Sequence, residues 1–323
     1  MRVTRAEVVA ICVLLISVAL FAHRVLYNYW TEYGALDSQC TYGAGLSIIN
    51  GTHEYIHEFG SLMFDDEAWC NSPLFQNDPD VFRCLVRFPG IIVPFNHPPV
   101  LAVLASPFVY VMELHTWFAF WWVLSVGSYV GVVWAVVRNR SLRWWMIAVA
   151  LQFGPFLHHL QYGQTILITM GLAILGGSCG ISIAGWFKVY PWILAFKRKR
   201  FLPVVMWSVG LFSLWLVFGN IQEWSDLRVL WQWATHVSGV SALAQQDTWV
   251  TYFRMIVAAI MLVVGLRRKW HDVTLFAVAQ GLSPMWWGGY WVVWVPVAAH
   301  LVSLAYEYMD MRFGPAPELR GVV

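Results

Sequence analysis

Apolar runs approaching or exceeding the roughly 20 residues that cross a bilayer as a helix recur along this chain, and several stop at short clusters of Arg and Lys. The sharpest stops are Arg138-Asn139-Arg140-Ser141-Leu142-Arg143, Lys197-Arg198-Lys199-Arg200 and Arg267-Arg268-Lys269. Such runs do not fit the surface of a domain in water. Composition agrees: of 323 residues, 59% are hydrophobic and 12% charged, against about a quarter charged in soluble domains. The expected fold class is all-α, a polytopic helical membrane protein, because a helix satisfies its own backbone within lipid. A net charge of +2 in short basic clusters argues against a nucleic-acid partner. Five Cys in this length make no disulfide scaffold.

The first run, residues 6–26, follows a basic head and ends in His23-Arg24 without a small-x-small cleavage pattern, so it reads as a retained first span. Further runs lie at 117–137, 144–157, 165–196, 202–218, 249–266, 273–282 and 291–306. The stretch 165–196, about 32 residues long and broken by Gly176-Gly177, Lys188 and Pro191, fits one ordinary span or three very short ones. The count is therefore about eight to ten spans. Two polar segments separate them, a first outer loop over 28–116 and a second over 220–248.

Basic clusters near short loops stay cytoplasmic. Arg2, Arg5, Arg138, Arg140, Arg143, Lys197, Arg198, Lys199, Arg200, Arg267, Arg268, Lys269, Arg312 and Arg320 are 14 of the 20 cations. They share one side only if the apolar run 98–112 does not cross. Its brevity and its Pro98-Pro99 start suit a helix lying at the outer interface. Both termini are then cytoplasmic, both polar loops face outward, and the outer side holds 13 of the 18 carboxylates. Cys40, Cys70 and Cys84 share the first outer loop, where an oxidising compartment would permit one disulfide and leave one thiol. Cys12 and Cys179 lie in apolar runs and read as packing residues.

The chemistry-bearing pieces come in a definite order. Asp37 follows the first span, and Gly51-Thr52-His53-Glu54-Tyr55 follows it. Next are His97-Pro98-Pro99 with Pro107, the Gly163-Gln164 corner, and Lys188-Val189-Tyr190-Pro191 ahead of the basic stop. Ser283-Pro284-Met285-Trp286-Trp287 comes late. This order resembles the C-type integral-membrane glycosyltransferases that use polyprenyl-phosphate sugars, and glycosyltransferase family 87 in particular, over about residues 1 to 310. Two positions depart from the family pattern: Ile166 stands where Asn is usual, and Gly289 where a late His is usual.

The resemblance implies a single integral-membrane glycosyltransferase domain over 1–323, with the C-type glycosyltransferase fold and its active site on the outer face. It implies transfer of a mannose- or arabinose-like sugar from a polyprenyl-phosphate donor to a lipid- or glycan-linked acceptor, with inversion. Asp37 is the candidate general base for the acceptor hydroxyl. Lys188 is the first candidate to hold the leaving phosphate, since a Lys inside the membrane is expensive and usually functional. His97, Tyr190, Gln164, Arg83 and Arg87 are further candidates for the donor-phosphate and substrate site, and Trp287 could face a sugar. No cofactor is called for; a divalent cation is compatible with such a site but is not indicated.

Each residue has a plainer role open to it. Asp37 could cap a helix, Lys188 could snorkel to an interface, and His97 could cap the interfacial helix. His158 and His159 read as interfacial polar residues, and the paired Trp at 121/122, 144/145 and 286/287 as interface anchors or packing residues. His53-Glu54-Tyr55-Ile56-His57 also satisfies H-E-x-x-H, which on a helix places two His one turn apart as zinc ligands. Gly51-Thr52 before it and Gly60-Ser61 after it leave little room for a long apolar helix. A membrane zinc metalloprotease and a non-enzymatic transporter or structural protein are the alternative functions.

Overall fold

A computed structural model describes residues 4–31, 36–51, 56–59, 91–94, 98–162, 164–221, 223–224, 248–283 and 288–313. The described chain is dominated by helices. Five are long and apolar enough to cross a membrane, with candidate spans at Arg5–Val25, Thr116–Val136, Phe201–Phe218, Trp249–Arg267 and Trp291–Arg312. They belong to α1 (Arg5–Thr31), α4 (Leu114–Val136), α10 (Phe201–Phe218), α11 (Thr248–Arg267) and α13 (Trp294–Phe313). One antiparallel ribbon joins the helices: β1 (Ile56–Phe59) pairs with β2 (Ile91–Pro94), placing His57 opposite Val93. Among the described residues, this ribbon in the first loop is the one departure from the helical expectation.

The other apolar runs fold into shorter helices. The run at 144–157 is divided between α5 (Arg140–Gln152) and α6 (Gly154–Tyr162). Pro155 explains the break, since its ring cannot follow a continuous helix and it has no N–H to donate. Asn139 caps α5 by accepting from the Leu142 N–H at 3.0 Å. The stretch 165–196 takes the three-piece form: α7 (Ile166–Leu175), α8 (Gly177–Phe187), and a 3-10 turn at Tyr190–Trp192 leading into α9 (Ile193–Lys197). Gly177 at φ 61° turns the chain back, a conformation that costs a residue with a Cβ. α8 then lies so close to α7 that a Cβ on Gly180 would overlap the Leu172 carbonyl oxygen.

Contacts between side chains show which helix ends share a level. Arg140 at the start of α5 pairs with Glu7 near the start of α1 at 3.4 Å. Arg138, just after α4, pairs with Glu307 of α13 at 3.4 Å, and its N–H donates to the Ser303 hydroxyl at 3.1 Å. His271, before α12 (Asp272–Gln280), stacks on His300 of α13 with centroids 4.2 Å apart. Lys197 and Arg198 both pair with Asp272. The basic clusters at 138–143 and 197–200 and the α11–α12 turn therefore gather at one end of the bundle, beside Glu7.

A topological consequence follows. α1 starts at this basic end and α4 finishes there, so the chain between them makes no net crossing. That chain holds α2 (Leu36–Asn50) and α3 (Val100–Val111), which pack together beside the far end of α4. α2 offers a small-residue face: Thr41, Gly43, Ala44, Gly45 and Ser47 are buried. A Cβ on Gly45 would stand 2.9 Å from Val109 Cγ2 of α3. Small residues let helices approach closely where apolar solvent gives no hydrophobic drive. The Trp117 indole on α4 donates to the Ser38 carbonyl at 2.9 Å, and the Tyr42 hydroxyl donates to the Met112 carbonyl at 3.1 Å.

The main core lies among α4 to α9 and α12. Tyr129, Phe156, Ile166, Leu167, Met170, Ile181 and Phe276 are fully buried there. One close junction in it is between α4 and α7, where a Cβ on Gly171 would overlap Ser128. Gly171→Ala should lower stability by about 1–3 kcal/mol, the usual cost of overpacking a close junction. Adding Ser128→Gly, which removes the opposing Cβ, should recover most of that loss in thermal melts of the detergent-solubilised protein. Equal melting of Gly171→Ala and wild type would show that the junction is looser than described.

Candidate functional site

A partly buried string of polar groups lies where the ends of α8 and α12 meet α11. The Tyr190 hydroxyl is hydrogen-bonded to the Gln280 side-chain oxygen, and its ring stands edge-on to Phe276 at 5.4 Å. Gln280, the last residue of α12, is 1% exposed. Its carbonyl accepts from the Ser283 N–H at 3.0 Å. The Ser283 carbonyl in turn accepts from Arg254 Nη2 of α11 at 2.6 Å. Lys188, half-buried, is the C-cap of α8 two residues before Tyr190, and its N–H donates to the Ala184 carbonyl at 2.9 Å.

Local packing explains why this turn is fixed. The Trp192 indole lies across Gly185 so closely that a Cβ there would overlap it. Pro191 is buried in the first turn of the 3-10 segment, where its missing N–H is not needed. Helix rise then sets the depth. Eleven residues separate Gly177 from Lys188, roughly 16 Å, and 13 separate Arg254 from Arg267, roughly 20 Å. The α12 helix from Asp272 to Gln280 spans roughly 12 Å. Lys188, Tyr190, Gln280 and Arg254 thus lie around half the thickness of a hydrocarbon core of about 30 Å away from the basic end.

The remaining expected site residues divide in two. Asp37 lies in the first turn of α2, and the next residue, Ser38, is held by Trp117. Gln164, half-buried, follows α6, and its N–H donates to the carbonyl of His159 at 3.0 Å. Leu160 beside it accepts from the Trp122 indole at 2.9 Å, which ties this corner to α4. The 3-10 segment Gly288–Val293, which holds Gly289, packs on α6 and α7. His97, Arg83, Arg87 and Trp287 lie outside the described residues, as do His53 and Glu54. His57, the second His of H-E-x-x-H, is on β1.

Two features were not singled out from the sequence as functional. Arg254 and Gln280 are lone polar residues inside apolar runs, and that exception is itself a signal. The second feature is the ion cluster at the basic end. Arg198 Nε donates to Asp272 at 2.7 Å while its Nη2 donates to the Ile174 carbonyl at 2.9 Å, and Lys197 bonds the other Asp272 oxygen. Burial opposes ionisation of Asp272, but Lys197 and Arg198 outweigh it and hold the carboxyl below its usual range. Burial of the His271 ring and the neighbouring His300 push His271 down to about 4, with Lys197 and Arg138 adding to them and Asp272 opposing. Near the other end, burial and then Glu113 raise the Tyr42 phenol, which stays a donor.

Both shifts at the basic end make acid destabilising. His271 gains its proton in the unfolded chain near 6.5 but in the folded one only near 4, so its contribution fades as pH falls through that window. Asp272 stabilises above the ordinary carboxylate value and loses its contribution as pH falls through its depressed folded value. His271 also caps α12, accepting from the Val273 N–H at 3.4 Å. His271→Asn keeps a capping acceptor without the titration. Its melting temperature should fall less than wild type between pH 6.5 and 4; parallel curves would exclude His271 as the source. Compared with known protein families, curated proteins and solved structures, the chain matches none.

Proposed function

We propose that this protein is an integral-membrane glycosyltransferase of the C-type class. It moves a sugar from a polyprenyl-phosphate donor to a lipid- or glycan-linked acceptor at the face opposite the basic clusters. The observation that carries the reading is the partly buried string of Tyr190, Gln280, Ser283 and Arg254, with Lys188 two residues before Tyr190, at about half the membrane depth. A free soluble anion has no reason to enter hydrocarbon. A phosphate on a polyprenyl chain is brought to the bilayer by its own lipid, and cations in low dielectric then hold its charge strongly.

Topology supports the same reading. With the basic end cytoplasmic, α2 and α3 lie at the outer face, between a first span and α4. Passes by α1, α4, α5 with α6, α7, α8, α9, α10, α11, α12 and α13 give ten, several of them too short to cross alone. Asp37 then begins an outer helix, and Lys188 approaches the same face from the core. In this reading Asp37 takes the proton of the acceptor hydroxyl as it attacks the anomeric carbon. Lys188, with the Tyr190 hydroxyl, holds the departing phosphate, and a single displacement inverts the centre. The protease alternative has less support: zinc ligation by H-E-x-x-H uses a helical turn, whereas His57 is on a strand.

The test is transfer from a panel of labelled polyprenyl-phosphate sugars by the purified protein in lipid. Asp37→Asn should cost about a hundredfold to ten-thousandfold in rate with donor binding retained. Lys188→Ala should weaken donor binding as well as turnover. Asp37→Asn at near wild-type rate would remove Asp37 as the base. Gly289→His restores the residue usual in the resembling family and should hold or raise turnover. Failure of wild type and Gly289→His with every donor would remove the proposed function.

A further inference from the structure

An arginine six residues into an apolar helix needs a reason. Arg254 follows Thr248-Trp249-Val250-Thr251-Tyr252-Phe253 and precedes the apolar stretch to Leu266. The face it occupies is informative. Thr251, Ala258, Leu262 and Gly265 are buried, whereas Phe253, Val257, Ile260 and Val264 are exposed. Arg254 shares the first stripe at helical spacing, so it points into the protein and away from lipid. One turn further on, a Cβ on Gly281 would stand 2.9 Å from Ala258 Cβ, which brings the end of α12 against this stripe. There Arg254 Nη2 donates to Ser283, and Ser283 and Gln280 carry the string on to Tyr190.

The charge arithmetic of the proposed reaction gives such a residue a task. The donor is a phosphodiester and carries one negative charge. The acceptor oxygen forms its bond to the anomeric carbon, and its proton passes to Asp37. The bond from that carbon to the phosphate oxygen breaks, and the electron pair stays on the oxygen. The released polyprenyl phosphate is a monoester that carries up to two charges at neutral pH. One cation matches the donor; the charge that develops as the bond breaks calls for another.

We infer that Arg254 holds the second charge of the leaving polyprenyl phosphate, so that with Lys188 it makes the site prefer the dianionic monoester over a monoanionic diester. The inference rests on the proposed transferase function. It adds a residue and a charge preference to that site. Guanidinium suits the task because it stays charged at depth and presents N–H donors in a fixed fork, and its Nη2 donates to the Ser283 carbonyl.

The experiment compares binding of three probes to the purified protein in lipid: a short-chain prenyl phosphate, its methyl phosphodiester, and the prenyl alcohol. Wild type should bind the monoester roughly tenfold or more tighter than the diester, and both tighter than the alcohol. Arg254→Gln should erase most of the monoester preference and leave alcohol binding unchanged; Arg254→Lys should restore part of it. Thermal melts run alongside. If Arg254 only caps the end of α12, Arg254→Gln will melt lower with the preference intact, and the inference falls. Should Arg254→Gln fail to fold, wild type still decides, because equal affinity for monoester and diester overturns the inference. Wild type that binds the phosphates no better than the alcohol instead removes the transferase function itself.

Discussion

Arg198 makes the contact on which the middle of this molecule depends. One edge of its guanidinium bonds Asp272 at the start of α12, and another N–H bonds the Ile174 carbonyl near the end of α7. Helix α7 is ten residues long and α8 eleven, so each has end carbonyls and amides that cannot be left to lipid. The turn between them meets part of that need with the Gly176 N–H on Leu172 and the Gly180 N–H on Gly176. Arg198 meets another, and as a cation it also suits the negative end of α7. Asp272 then couples α9 to α12, so three short helices, α7, α9 and α12, share one anchor.

That anchor bears on the site through length. Short helices starting from one fixed end must finish inside the bundle. α8 ends at Phe187, with Lys188 as its C-cap, and α12 ends at Gln280. Long helices would have carried these residues on to the far surface. The polar string therefore lies at depth because the helices that bear it are short, and they are short because Gly176-Gly177, Pro191 and the Gly281 turn interrupt them. Two charged layers result. The outermost ion pairs at the basic end, Arg138 with Glu307 and Arg140 with Glu7, include cations that are 75% and 45% exposed, and they contribute little each. The inner layer is built from hydrogen bonds among partly or fully buried groups.

Much of the fold was legible because each signal was a departure from an apolar background. Basic stops marked helix ends, and the structure gathers those at 138–143 and 197–200 at one end. Pro98-Pro99 and the short run after it marked α3, and the Gly-Gly break marked the α7–α8 turn. Contacts across the chain were not legible. Nothing in the run at 249–266 tells that Arg254 meets Ser283, 29 residues later, or that Tyr190 meets Gln280, 90 residues later. A lone polar residue in an apolar run announces that it has a partner or a task but does not name it. The ribbon of β1 and β2 was hidden for another reason: four-residue strands far apart in a polar loop leave no periodicity to read.

The proposed catalysis between a base on α2 and cations at the end of α8 and on α11 would need those frameworks held to well within about 1 Å, since a misplacement of that size can cost a hundredfold. The frameworks are far apart in sequence, and several packed junctions bridge them, through α3 and through α4 with α7. α2 is fixed to α4 through Trp117 and Ser38. α4 is fixed to α7 where Gly171 meets Ser128, and α7 turns directly into α8. Tyr190 then follows within three residues of the end of α8. Position errors introduced at Gly171 would pass to both the Asp37 side and the Lys188 side, although neither residue touches it. A methyl group added there therefore acts on the relative placement of the two halves of the proposed site as well as on stability.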